Sequence, residues 1–139
     1  MLRQMSESLT LRASRAGLQE ITKSVQSWVA GSGIRDGLLT LFCRHTSASL
    51  LVQENAAPAV ARDLDRYFAR LAPESGDYEH DDEGPDDMPA HLRTALTQTQ
   101  LSIPVKGGGL MLGTWQGIFL FEHRHSTPQR QIVLHLLGE

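Results

Sequence analysis

This chain of 139 residues is poor in several things, and each shortage excludes something. It has a single cysteine, Cys43, so no disulfide can form within the chain, which fits a reducing compartment. No stretch approaches the roughly 18 apolar residues of a membrane span. The N-terminal MLRQMSESLTLRAS also lacks the apolar core of a secretion signal. The expectation is a cytoplasmic protein without a membrane partner. Basic residues are not in excess: 13 Lys and Arg stand against 16 Asp and Glu, for a net charge of −3. Nothing global steers such a chain towards nucleic acid. With 40% hydrophobic and 21% charged residues, the composition is that of one globular domain able to bury a core without cross-links.

Several catalytic signatures are missing as well. The zinc-protease pattern HExxH is absent. Ser47 and Ser49 are not set in a GxSxG elbow, which removes the serine-hydrolase reading. Gly107-Gly108-Gly109 follows Lys106 without the GxxxxGK[ST] order of a phosphate loop, and reads as a hairpin turn.

What is present is a mixture of strand and helix periods. Residues 8–14 alternate like a half-buried strand, and a turn at Arg15-Ala16-Gly17 follows. Ile21, Val25, Trp28 and Val29 then recur at helical spacing, with Thr22 as cap and Gly31 to Gly33 as stop. The run from Gly37 to Cys43 is apolar like a central strand, and Leu50 to Gln53 reads as another. A helix capped by Asn55, with Pro58 in its first turn, should run to about Leu71 and bury Val60, Leu64, Phe68 and Leu71. A shorter helix should begin near Met88, with Asp86 or Asp87 as its cap and His91 in its first turn. The last third reads as strands over 102–105, 110–125 and 131–137. Without a regular βαβ rhythm, this order implies a single α+β domain, its mixed sheet mostly antiparallel, with a few helices.

Charge and histidine are concentrated where chemistry could sit. Eight of the 16 acids lie between Pro73 and His91, and no Lys or Arg interrupts them. A compact loop of that kind favours a cation, although its register is not that of a calcium-binding EF-hand. His80 and His91 bracket HDDEGPDDMPAH, at a spacing that is no standard zinc motif. His45 ends the strand LLTLFCRH, where it either faces a cleft or is a half-buried histidine satisfied by nearby backbone. Glu122 and Arg124 close an apolar run. They read either as an anion site using the Arg124 fork or as an ion pair at a sheet edge. Cys43 reads as a buried strand residue rather than a nucleophile, and His135 as structural.

Three blocks in this order, RHTSASLLVQEN, DDMPAH and SIPVKGGGLMLGTWQGIFLFEHR, resemble the YjbQ-type family, known as the secondary thiamine-phosphate synthase family. The resemblance covers essentially the whole chain. It implies a homotrimer with a site for a divalent metal, zinc or alternatively magnesium, held by His45, His80 and His91. It further implies Asp87, Glu122 and Arg124 as catalytic residues, and Ser47, Glu54, Asn55, Gln116 and Arg124 as residues that bind substrate. The implied activity is a thiamine-phosphate synthase-like reaction on small phosphorylated substrates. A zinc-dependent hydrolase of a small substrate, or a non-catalytic metal- or ligand-binding trimer, are the alternatives.

Overall fold

The computed structural model describes all 139 residues. Its elements run β1 (Arg3–Leu11), β2 (Gly17–Glu20), α1 (Thr22–Ser32), β3 (Gly37–Cys43), β4 (Ala48–Glu54), α2 (Pro58–Leu71), α3 (Asp87–Leu96), β5 (Gln100–Lys106), β6 (Gly109–Leu110), β7 (Gln116–Glu122) and β8 (Arg130–Gly138). The chain is α+β, as expected. Its strands form two sheets, β1-β8-β3-β5-β6 and β2-β7-β4, and every neighbouring pair is antiparallel. The alternating faces of the two sheets meet in one core. Leu39, Leu41, Ile132, Leu134 and Leu136 come from the larger sheet, Ala48, Leu50, Ile118 and Leu120 from the smaller, and Val25 and Val29 of α1 join them. No helix is long and apolar enough to cross a membrane.

Several boundaries differ from the sequence expectation. Strand β1 begins at Arg3, because backbone pairing with β8 extends it through residues too polar to show alternation. The four-residue β2 carries no periodic signal; its register against β7 makes it a strand. The expected strand over 110–125 breaks in two. A turn closed by the Gly113 N–H donating to Gln116 Oε1 (2.8 Å) carries the chain from the larger sheet to the smaller. The Gly107–Gly108 turn is as expected, with φ of 60° and 78° joining β5 to β6.

The helix starts also differ. Thr22 does not cap α1; it is the first helical residue, and its hydroxyl accepts from the Ile118 N–H at 2.9 Å. Asn55 does not cap α2 either, since its amide donates to Glu20. Glu54 accepts the N–H groups of Ala56 and Ala57 instead, at 3.0 and 2.9 Å, just ahead of Pro58. Of the expected α2 stripe only Phe68 is buried, edge-on to Phe121 at 5.4 Å, while Leu71 is exposed. A three-stranded sheet is too narrow to cover every turn of a 14-residue helix.

Gly37 and Gly138 face one another across β3 and β8. A Cβ at Gly138 would run into the Asp36 carbonyl oxygen, a backbone atom that has nowhere to yield. Gly138→Ala should therefore lower stability by about 1–3 kcal/mol, read as a reduced urea midpoint at unchanged slope.

Candidate metal centre

Asp86 and Asp87 open α3, and neither makes a side-chain cap. Asp86 stands at the N-cap position, but its Oδ2 accepts the His125 N–H at 2.8 Å and lies 3.3 Å from Arg124 Nε. Burial raises its carboxyl; the His125 N–H and the Arg124 charge outweigh that and hold it below the usual range. Asp87 is 4% exposed. Its Oδ1 receives the Arg124 guanidinium, and its Oδ2 lies 2.8 Å from His80 Nε2 and 3.1 Å from His91 Nε2. Here too burial pushes the carboxyl up, and the His80 bond with the neighbouring positive groups brings it below the usual range.

His91 is the fifth residue of α3, in its second turn rather than its first, one helical turn beyond Asp87 on the same face. Its Nδ1 lies 2.9 Å from the Thr46 carbonyl oxygen, which can only accept. The Nδ1 must therefore carry a proton. Nε2 then either carries a second proton and donates to the Asp87 oxygen, or offers a lone pair that only a cation between the two could reconcile with that oxygen. Backbone carbonyls fix the tautomer of metal-binding histidines in the same way. His80, on the loop before α3, is half exposed, and its Nε2 also lies 3.1 Å from Glu83. The hydrogen bond to Asp87 is the main cause that raises its pKa. Ligand atoms of His80, Asp87 and His91 thus converge closely enough to share one cation.

His45 is not in that group. Its Nε2 accepts the Gln131 N–H at 2.8 Å, so the lone pair needed for a metal is taken by backbone. Burial first, and the Arg130 charge second, lower its pKa, and the neutral ring then keeps its proton on Nδ1. His45 still borders a groove of about 390 Å³ that it shares with His91, Thr94 and Thr97. Ser47 lines a second groove with His45 and Arg130. Glu54 pairs with Gln116 at one end of the β4–β7 ladder, whereas Glu122 pairs with Ala48 at the other. Those ends are about 20 Å apart along a strand. Glu54, Asn55 and Gln116 are therefore remote from His80 and His91 within one chain.

Arg124 and Glu122 do not pair with each other's side chains. Arg124 spends its guanidinium on Asp87, on the Glu83 carbonyl (2.9 Å) and beside Asp86, so it orients carboxylates rather than standing free for a phosphate. Glu122 is buried and pairs with Arg130, a residue the sequence analysis did not single out. No local signal marks it; Arg130 simply begins the last strand. Cys43 is buried, and burial raises its thiol to about 11, so it is inert at neutral pH.

A buried histidine, His123, also carries no local signal in the sequence. His123 is buried against Phe121, with ring centroids 4.4 Å apart, and its Nε2 shares a hydrogen bond with Ser49 Oγ at 2.9 Å. Burial, followed by the charges of Arg93 and Arg130, pushes its pKa down to about 3. Between about pH 6.5 and 3 the unfolded chain binds a proton here that the folded chain refuses, so stability falls as the pH drops through that window. The slope approaches about 1.4 kcal/mol per pH unit. Urea midpoints from pH 7 to 4 should fall more steeply for the wild type than for His123→Phe. Below the usual carboxylate range, protonation of the depressed Asp86 and Asp87 acts in the same direction.

Comparison with known proteins agrees with the whole-chain resemblance. The family model described as "UPF0047 protein YjbQ-like" matches residues 7–139. The UPF0047 protein sll1880 of Synechocystis sp. is 50% identical over 138 residues, covering 99% of this chain and 94% of that protein. The UPF0047 protein YjbQ of Escherichia coli O157:H7 is 43% identical, covering 96% and 97%. Among solved structures, a YbjQ-like protein of unknown function from Sulfolobus solfataricus P2 superposes with a TM-score of 0.92 at 26% identity, covering all of both chains. The hypothetical protein APE1520 of Aeropyrum pernix K1 gives 0.87 at 31% identity, covering 97% and 99%. This chain belongs to the YjbQ/UPF0047 family.

Proposed function

We propose that the chain is a metal-dependent enzyme that holds a divalent cation, zinc in first place, between His80, Asp87 and His91 and acts on a small phosphorylated substrate. The observation that carries this reading is the placement of His91. With Nδ1 committed to the Thr46 oxygen, its Nε2 faces a carboxylate oxygen that also meets His80 Nε2. Two imidazole nitrogens and one carboxylate oxygen are ordinary zinc ligands, and fewer than four protein ligands leave a position for substrate. His80 is half exposed, so that position would open to solvent. A shell closed by protein would instead favour the non-catalytic reading.

A cation there would supply Lewis-acid stabilisation of charge developing on a phosphate oxygen. The residues of the chain do the rest. Arg124 holds Asp87 in register, the Thr46 carbonyl aims His91, and His45 lines the neighbouring groove. The acids around His80 would repel a free phosphate, so substrate binding should require the cation. The likeness to the thiamine-phosphate synthase family supports one specific reaction. In it, a pyrimidine diphosphate and a thiazole phosphate are joined with loss of pyrophosphate, in a homotrimeric protein.

The test is a calorimetric zinc titration of apo-protein, followed by pyrophosphate release with and without the metal. His80→Ala and His91→Ala should lose metal, while His45→Ala should keep it and lose turnover. Full stoichiometric zinc in both the His80 and His91 variants would sink the ligand assignment.

A further inference from the structure

One ion pair beneath the site has no role in the reading above. Glu122 is 1% exposed and Arg130 is 4% exposed, and Arg130 donates to both carboxylate oxygens, with its Nε 2.8 Å from Oε1. Burying two charges is costly, and an apolar pair of similar volume often holds a core as well or better. Stability alone is therefore a poor reason for the pair. Its remaining bonds are more informative. Arg130 also donates to the Ser47 carbonyl at 3.0 Å, and Glu122 Oε2 also accepts the Arg124 N–H at 3.1 Å.

Those two backbone groups adjoin the two supports of the metal site. Ser47 follows Thr46, whose carbonyl faces His91 Nδ1; Arg124 is itself the residue whose guanidinium holds Asp87. One bidentate pair thus ties the loop that aims one candidate ligand to the strand end that aims another. We infer that Glu122 and Arg130 are positioning residues that set the angle between His91 and Asp87. Glu122 then acts through Arg124 and Arg130, without touching substrate. The inference rests on the cation reading of His80, Asp87 and His91 for one of its two readouts only.

The experiment uses the double variant Glu122→Met/Arg130→Met, which removes both charges together and leaves neither buried alone. Cobalt(II) is titrated by visible absorbance, and the His91 ring nitrogens of the metal-free protein are observed by NMR. The folded double variant should bind cobalt about 10–100-fold more weakly, as loss of outer-shell support does. Its cobalt absorption should change shape, and the His91 Nδ1–H signal, protected in the wild type by Thr46, should exchange away. Arg130→Lys, which keeps the charge but not the fork, should recover part of both readouts.

Wild-type cobalt affinity and an unchanged His91 signal in the folded double variant would overturn the inference. If the double variant fails to fold, Arg130→Lys decides by the same two readouts. If the wild type itself binds no cobalt, the cation reading falls. The His91 signal alone then decides: its loss supports positioning and its persistence overturns it.

Discussion

Asp87→Ala is expected to abolish stoichiometric zinc binding. This carboxylate is the one group that both candidate imidazoles face, and its second oxygen carries the Arg124 guanidinium. Removing it deletes a ligand and frees Arg124, whose positive charge then stands beside two imidazoles and opposes a cation. The loss should exceed the roughly 10–100-fold that follows from deleting an outer partner of a metal ligand. A thermal shift reads the same effect. A ligand that binds only the folded state, at 100 times its dissociation constant, stabilises that state by about 2.7 kcal/mol. Zinc should therefore raise the melting temperature of the wild type by several degrees and leave Asp87→Ala unmoved. Equal shifts for the two proteins would remove Asp87 from the site.

Arg130→Met alone should be the most destabilising of the single substitutions considered, by about 3–5 kcal/mol, because it strands the Glu122 carboxylate in the core. Glu122 has no solvent to turn to, and its one other polar partner is the Arg124 N–H. For a chain of this length the melting temperature should fall by roughly 10–17 °C. The double variant should recover most of that loss, which distinguishes a stranded charge from lost packing. Urea melts of both single variants and the double variant complete the cycle. Additive losses would mean that the pair is not energetically coupled.

These two residues mark what could and could not be read in advance. The helix over 58–71, the strand over 37–43 and the Gly107–Gly108 hairpin follow from local periods and turn chemistry, and the structure places them as expected. Local pattern also singled out His80 and His91, and the family resemblance added Asp87. They lie within twelve residues of one another, and the helix that begins at Asp87 aligns two of them by its own pitch. Such features depend on neighbours in sequence, so sequence determines them.

Tertiary structure alone decided the rest. The partner of Glu122 is Arg130, not the nearer Arg124, because the chain must turn after β7 and return as β8 before a guanidinium can enter the core. His45 loses its lone pair to Gln131, 86 residues away, through the placement of β3 beside β8. Ser49 meets His123 across 74 residues, where β4 and β7 lie side by side. A hydrogen bond commits a particular atom in a particular direction. Composition and periodicity say which residues can offer that atom, but strand register decides which partner it reaches.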